Sequence, residues 1–206
     1  METLAGIVLA AGASSRMGSN KLLLRLGDES VLRRCVRSAI AAGLDPVLVI
    51  LGHEAERARA ELDGLPCRAI VNPNWARGMN ASLAAGVAAV PPDVPAAVVA
   101  LADMPRVSQE MIAGLVNRYR DCGAAVVASD YEGILAPPTL FDRRLFAELQ
   151  ESEGEGCGRR VVERHLAHAS KVTWPAAALG DLDRPADYQR LLVEVPPWPS
   201  DSKRRS

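Results

Sequence analysis

Aromatic residues are scarce in this chain: 206 residues include only two Phe, three Trp and three Tyr. Its core has to be filled by Ala, Val and Leu, which supply much of the 49 % hydrophobic content. An excess of either charge is also missing. Lys and Arg number 24 against 25 Asp and Glu, a net charge of −1. Long nucleic acids need a basic face, so they are excluded as partners, whereas a small phosphorylated ligand held by a few local groups is not. Cys35, Cys67, Cys122 and Cys157 are far apart and form no C-x-x-C pair, so free thiols are expected rather than a zinc site. No apolar run approaches the ~20 residues of a membrane span, so no membrane partner is expected. The start, Met-Glu-Thr-Leu-Ala-Gly, carries no basic stretch. No signal peptide is therefore expected, and a cytoplasmic location fits the free thiols.

What is present alternates. Short apolar runs at Ala5 to Ala10, Pro46 to Leu51, Arg68 to Val71, Ala96 to Leu101, Ala124 to Ala128 and Lys171 to Trp174 read as strands, most of them buried. Between them lie segments of helical spacing. These are Val31 to Ala42, Glu54 to Leu62, Asn80 to Val90, Gln109 to about Arg120, Asp142 to Leu149, Arg160 to His168 and a last helix opened by Pro185. Ser30 and Ser108 stand where N-caps belong. This rhythm predicts a single α/β domain over residues 1–194 with a doubly wound, mostly parallel sheet. The Pro/Ser/Arg-rich residues 195–206 are expected to be disordered. Such sheets bind ligands beyond the carboxyl ends of their strands. Ala10 to Lys21 and Ala102 to Pro105 both follow strands and should share that edge.

The first of these segments reads Leu9-Ala10-Ala11-Gly12-Ala13-Ser14-Ser15-Arg16-Met17-Gly18-Ser19-Asn20-Lys21. Small residues let the backbone approach phosphate oxygens, and successive N–H groups can form an anion-binding concavity. Arg16 can fork onto phosphate, and Lys21 adds a point charge. Neither a Walker A loop nor the G-x-G-x-x-G fingerprint is present. Taken alone, the loop could also be a strand-to-helix turn with two surface cations. In the second segment, Leu101-Ala102-Asp103-Met104-Pro105, the acid sits at a strand end, where it could hold Mg²⁺ or simply cap the turn.

Together, L-A-A-G-x-S-x-R-M-G followed by Lys, and L-A-D-M-P, resemble the nucleotidyltransferases that include molybdenum cofactor cytidylyltransferase and guanylyltransferase. The resemblance implies that Leu9, Ala10, Ala11, Gly12, Ala13, Ser14 and Ser15 bind the nucleotide. It implies that Arg16 and Lys21 act on its phosphates and that Asp103 holds Mg²⁺. Gly180-Asp181-Leu182-Asp183-Arg184-Pro185 resembles the family's late D-I-D-T-P segment, which makes Asp181 the second metal ligand and Asp183 the fallback or a helix cap. Asn72-Pro73-Asn74-Trp75-Ala76-Arg77-Gly78-Met79-Asn80-Ala81-Ser82-Leu83 resembles N-P-x-W-x-x-G-M-x-x-S-L. Gly78 and Ser82 are expected at the nucleotide, and Trp75 is expected as a core anchor.

On the acceptor side the likeness is partial. Gly133-Ile134-Leu135-Ala136-Pro137-Pro138 and Gly154-Glu155-Gly156-Cys157-Gly158-Arg159 stand where the family has G-x-x-G-x-P and G-D-x-G-A-R. Arg159 or Arg160 could grip an anionic acceptor. The implied reaction is transfer of CMP from CTP to a phosphorylated acceptor such as molybdopterin cofactor. A molybdoenzyme or chaperone would then receive the product. CTP is favoured because Ala11 replaces the glycine of guanylyl-type loops and narrows the base pocket. The alternatives are GTP, a sugar-phosphate acceptor, or a nucleotide-binding regulator without turnover.

Overall fold

A computed structural model describes residues 2–14, 20–152, 154, 156–180, 182 and 184–194. The tail 195–206 lies outside them. The chain begins with β1 (Ala5–Ala10) and a short hairpin, β2 (Arg25–Leu26) and β3 (Glu29–Ser30). Next come α1 (Val31–Ala41), β4 (Val47–Leu51), α2 (Ala55–Ala60), β5 (Arg68–Val71), α3 (Met79–Ala88) and β6 (Ala96–Leu101). The second half runs α4 (Gln109–Cys122), β7 (Val126–Tyr131), β8 (Ile134–Asp142), α5 (Phe146–Glu151), α6 (Arg159–Arg164), β9 (Ser170–Trp174) and α7 (Pro185–Glu194).

Seven strands form one sheet in the order β5-β4-β1-β6-β8-β7-β9. β5, β4, β1 and β6 are parallel neighbours, and β7 is parallel to β9. Only β8 runs against its neighbours, β6 and β7. The sheet is therefore mostly parallel, as the alternation of strand and helix implies.

Alternate side chains of each strand feed opposite faces. From β1, Val8 joins the face covered by Leu32 and Val36 of α1 and by Ile112 and Leu115 of α4. Its neighbours Ile7 and Leu9 join the other face, with Leu83 and Val87 of α3, Leu149 of α5 and Val161 of α6. Each large apolar side chain buried this way contributes roughly 1.5–3 kcal/mol, so two aliphatic layers compensate for the few rings. The Ser30 hydroxyl accepts from Arg33 N–H and that of Ser108 from Met111 N–H, so both caps stand where the sequence puts them.

Several elements differ from the sequence reading, among them the unanticipated β2–β3 hairpin and α6, which ends at Arg164 rather than running to His168. β7 starts and ends later than Ala124 to Ala128. The helix expected from Asp142 begins as a single tight turn, Arg143–Leu145, because Asp142 closes β8 and accepts from Arg144 N–H. β8 itself was not anticipated. Among the described residues no helix is long and apolar enough to cross a membrane.

Candidate functional site

The carboxyl ends of β1 and β6 are tied together one residue past the ladder, where Ala102 N–H donates to Leu9 O at 3.0 Å. Beside them His53 N–H donates to Ala11 O at 3.2 Å, and Asn72 N–H to Leu51 O at 2.8 Å. The loops after β1, β4, β5 and β6 therefore meet on one edge, and between them opens a cavity of about 260 Å³.

Of the sequence candidates, Leu9, Ala10, Ala11, Gly12, Ala13, Ser14, Lys21, Gly78, Ser82 and Asp103 all line this cavity. Ser15, Arg16, Asp181 and Asp183 lie outside the described residues. The Ser14 hydroxyl accepts from Lys21 N–H at 3.2 Å, and Asn20 Oδ1 accepts from Leu22 N–H. These two bonds fix Lys21 at the start of a helical turn, Lys21–Leu23. From there its Nζ reaches Asp103 Oδ2 at 2.5 Å. Their side chains keep 14 and 22 % of their exposure, so the pair is shielded yet open to the cavity.

Asp103 is the one acid among the described lining residues. The backbone bonds of its turn are Met104 N–H to Leu101 O and Val107 N–H to Met104 O. Leu182, between Asp181 and Asp183, donates its N–H to Asp103 O at 3.1 Å. Arg106 anchors the same late segment by donating to Ala177 O at 2.7 Å. The expected cap at Asp183 lies outside the described residues, and Asp187 accepts from Arg184 N–H at 2.8 Å.

Burial, and after it the negative charge of Asp103, pushes both the Cys35 and Cys157 thiols up to about 12. Cys35 also donates to Ala102 O at 3.1 Å. At that value both thiols are protonated at neutral pH, which is the poorly nucleophilic form. Among the described residues no three His, Cys, Asp or Glu come together as a metal cluster.

Trp75 corrects the sequence reading. It is half-buried rather than a core anchor, and it forms part of the cavity wall, with the His53 ring 5.4 Å from its own. Gly52 makes this possible. A Cβ on Gly52 would fall 2.6 Å from Trp75 Cβ and 2.8 Å from Ala11 Cβ, so the Ala11 methyl and Trp75 close in from two sides on a bare backbone. Sequence reasoning missed Gly52 and His53, whose signal was a Gly directly after a buried strand. Ser82 is buried and accepts from Asn72 Nδ2 at 3.1 Å. Gly78, at φ +110°, turns the chain into α3 beneath the cavity.

A second cavity, of about 460 Å³, lies between the β7–β8 hairpin and α6. Gly133 to Pro137 form one wall, and Gly156, Cys157 and Arg159 another. The two partial motifs of the acceptor side are thus brought together. Arg159 pairs with Glu163 at 2.8 Å, and Arg160 is exposed and outside the lining.

Over residues 6–170 the sequence matches the domain family described as MobA-like NTP transferase domain. The chain belongs to that family. It is a nucleotidyltransferase by that membership, with the mostly parallel sheet described above. It is 34 % identical over 197 residues to the probable molybdenum cofactor guanylyltransferase of Opitutus terrae, covering 91 % of this chain and 94 % of that one. It is 30 % identical over 200 residues to the purine catabolism protein PucB of Bacillus subtilis, at 91 and 95 % coverage. Among solved structures it resembles Rv0371c of Mycobacterium tuberculosis in complex with manganese. That match has a TM-score of 0.74 and 27 % identity over 93 % of this chain and 98 % of the other.

Proposed function

We propose that this nucleotidyltransferase binds CTP in the first cavity and transfers CMP to a phosphorylated acceptor held in the second. The observation that carries this is the Lys21–Asp103 pair on the floor where two strand ends meet. A cation-neutralised carboxylate inside a glycine- and alanine-walled cavity suits a nucleoside triphosphate with its metal ion.

Asp103 offers the hard oxygen that Mg²⁺ prefers, and one or two carboxylates plus substrate phosphates are its usual protein-bound set. Its pairing with an ammonium is consistent with a place made for positive charge, and the solved manganese complex of Rv0371c supports a divalent ion. Asp103 would hold the ion, with Asp181 as the second ligand that the family resemblance implies. When bound, the ion supplies positive charge to the phosphate oxygens and the departing pyrophosphate.

An oxygen of the acceptor phosphate attacks the α-phosphorus of CTP. The bond from that phosphorus to the bridging oxygen breaks, and pyrophosphate leaves. The attacking oxygen is already ionised, so no side-chain base is needed. Lys21, released from Asp103, neutralises charge on the triphosphate together with Arg16, and backbone N–H groups of the loop that follows β1, from Ala11 to Ser15, cradle it. Trp75, Gly78 and Ser82 would face the base and its sugar. Arg159 would meet the acceptor's anionic group, with molybdopterin cofactor the favoured acceptor.

GTP is the second reading of the donor, favoured by the likeness to a probable guanylyltransferase. Pyrophosphate release from CTP and from GTP, with Mg²⁺ and molybdenum cofactor, separates the readings. Faster release from CTP supports the proposal, faster release from GTP assigns the other base, and no release from either overturns the transfer reading.

A further inference from the structure

The two cavities are joined by one residue that belongs to neither. Asn80 is the second residue of α3, 2 % exposed, between Met79 and Ser82, which line the first cavity with Gly78. Its side chain and its backbone both turn toward the second cavity. Asn80 Oδ1 accepts from Gly158 N–H at 3.2 Å. The Asn80 peptide N–H donates to Gly154 O at 3.1 Å. Gly154 and Gly158 bracket Gly156 and Cys157, which form part of the second cavity's wall.

Gly158 leaves little freedom at this junction. It has φ +76°, and a Cβ there would lie 2.9 Å from Leu149 and 3.3 Å from Leu83 of α3. Its carbonyl then accepts from both Val161 N–H, at 2.9 Å, and Val162 N–H, at 3.1 Å. The first turn of α6 thus hangs on a peptide that Asn80 holds. A buried amide is costly to leave unmatched, so these bonds persist as a unit or break as one.

We propose that Asn80 is a positioning residue that couples the two cavities, so that a nucleotide seated against Gly78 and Ser82 fixes Gly158 and with it the wall and the helix start of the second cavity. The proposal rests on the reading of the first cavity as the nucleotide site. Donor binding then prepares the acceptor side before the acceptor arrives, without any residue moving between sites. The coupling runs through a hydrogen bond whose two ends are both buried.

The test uses the whole chain and CTP with Mg²⁺ as the probe, with GTP and Mg²⁺ in parallel. Amide hydrogen exchange is followed at Val161 and Val162, and binding is followed by calorimetry. In the wild type, saturating nucleotide should slow exchange at these two amides about tenfold, the scale of one net hydrogen bond. In Asn80→Ala the nucleotide should still bind, within about threefold of the wild-type affinity, while the slowing at Val161 and Val162 disappears. Tyr119→Phe is the control for general destabilisation. It removes the 2.8 Å bond to Asp142 on the α4 face, away from both cavities, and should keep the slowing. Nucleotide that binds the wild type without protecting Val161 and Val162, or an Asn80→Ala protein that keeps the protection, overturns the coupling alone. Failure of the wild type to bind either nucleotide overturns the nucleotide-site reading, and the coupling with it.

Discussion

At the scale of single residues, Lys21 and Asp103 would carry the proposed chemistry. Lys21→Ala should slow pyrophosphate release by roughly 10²-fold, the usual effect of removing one group that stabilises transition-state charge. Circular dichroism should show the fold intact, because the lost pair is partly open to solvent. A wild-type rate in Lys21→Ala would reduce the pair to a surface contact. Gly52 matters for a different reason. Gly52→Ala would drive a methyl to 2.6 Å from Trp75 Cβ and 2.8 Å from Ala11 Cβ, atoms at the base of their side chains rather than at a flexible chain end. Overpacking of this kind costs about 1–3 kcal/mol, so nucleotide affinity should fall about ten- to a hundredfold as Trp75 is displaced into the cavity. Calorimetry measures it, and an unchanged Kd would mean that Trp75 is not part of the nucleotide wall. That Lys21 and Asp103 face one cavity was legible in the sequence because both segments follow buried strands, and the family resemblance singled the two residues out. Trp75 was not, since Asn, Pro and Gly around an aromatic residue mark a turn without saying which way its ring faces.

Among the strands of the main sheet, β8 is the one the sequence concealed. Pro137 and Pro138 argue against a central strand, because proline cannot donate to a ladder. The register explains how the sheet accepts them. β7 pairs Ala128 with Thr139 and then Ser129 with Ala136, passing over both prolines, and β6 pairs only with Thr139 to Asp142. Ser129 Oγ donates to Pro138 O at 2.7 Å within this shift. The parallel strands β1, β4, β5 and β6 were readable as continuous apolar runs, since burial on both faces removes the need for polar alternation. The carboxyl end of β8 also brings a pH dependence. Burial pushes the Asp142 carboxyl up, but hydrogen bonds from Arg144 N–H, the Arg144 guanidinium and Tyr119 Oη outweigh it and hold the group below its usual range. A depressed carboxyl stabilises the fold above its unfolded value of about 3.9, and that contribution is lost as pH falls through the lower folded value. The melting temperature should therefore drop below about pH 4 in the wild type. Asp142→Asn should start lower at neutral pH and lose less on acidification. Parallel curves for the two proteins would show that Asp142 does not contribute to the acid loss.

For the molecule as a whole, the sheet turns sequence order into function by placing the loops after β1 and β6 on one edge and the β7–β8 hairpin beside α6. The sequence foretold the shared edge, because both segments follow buried strands. It could not show that α3 lies between two cavities, since that depends on which helix packs near which loop. A nucleotide that binds the folded chain and not the unfolded one raises its stability, by about 2.7 kcal/mol at a hundred times its Kd. CTP with Mg²⁺ should accordingly raise the melting temperature of the wild type. The most direct test of a metal-assisted nucleotide site at Asp103 is calorimetric titration of CTP into the wild type and Asp103→Asn, each with and without Mg²⁺. In the wild type, Mg²⁺ should tighten binding by at least about tenfold, ~1.4 kcal/mol, and in Asp103→Asn that gain should vanish. Equal affinity with and without Mg²⁺ in the wild type, or an undiminished Mg²⁺ effect in Asp103→Asn, would contradict it.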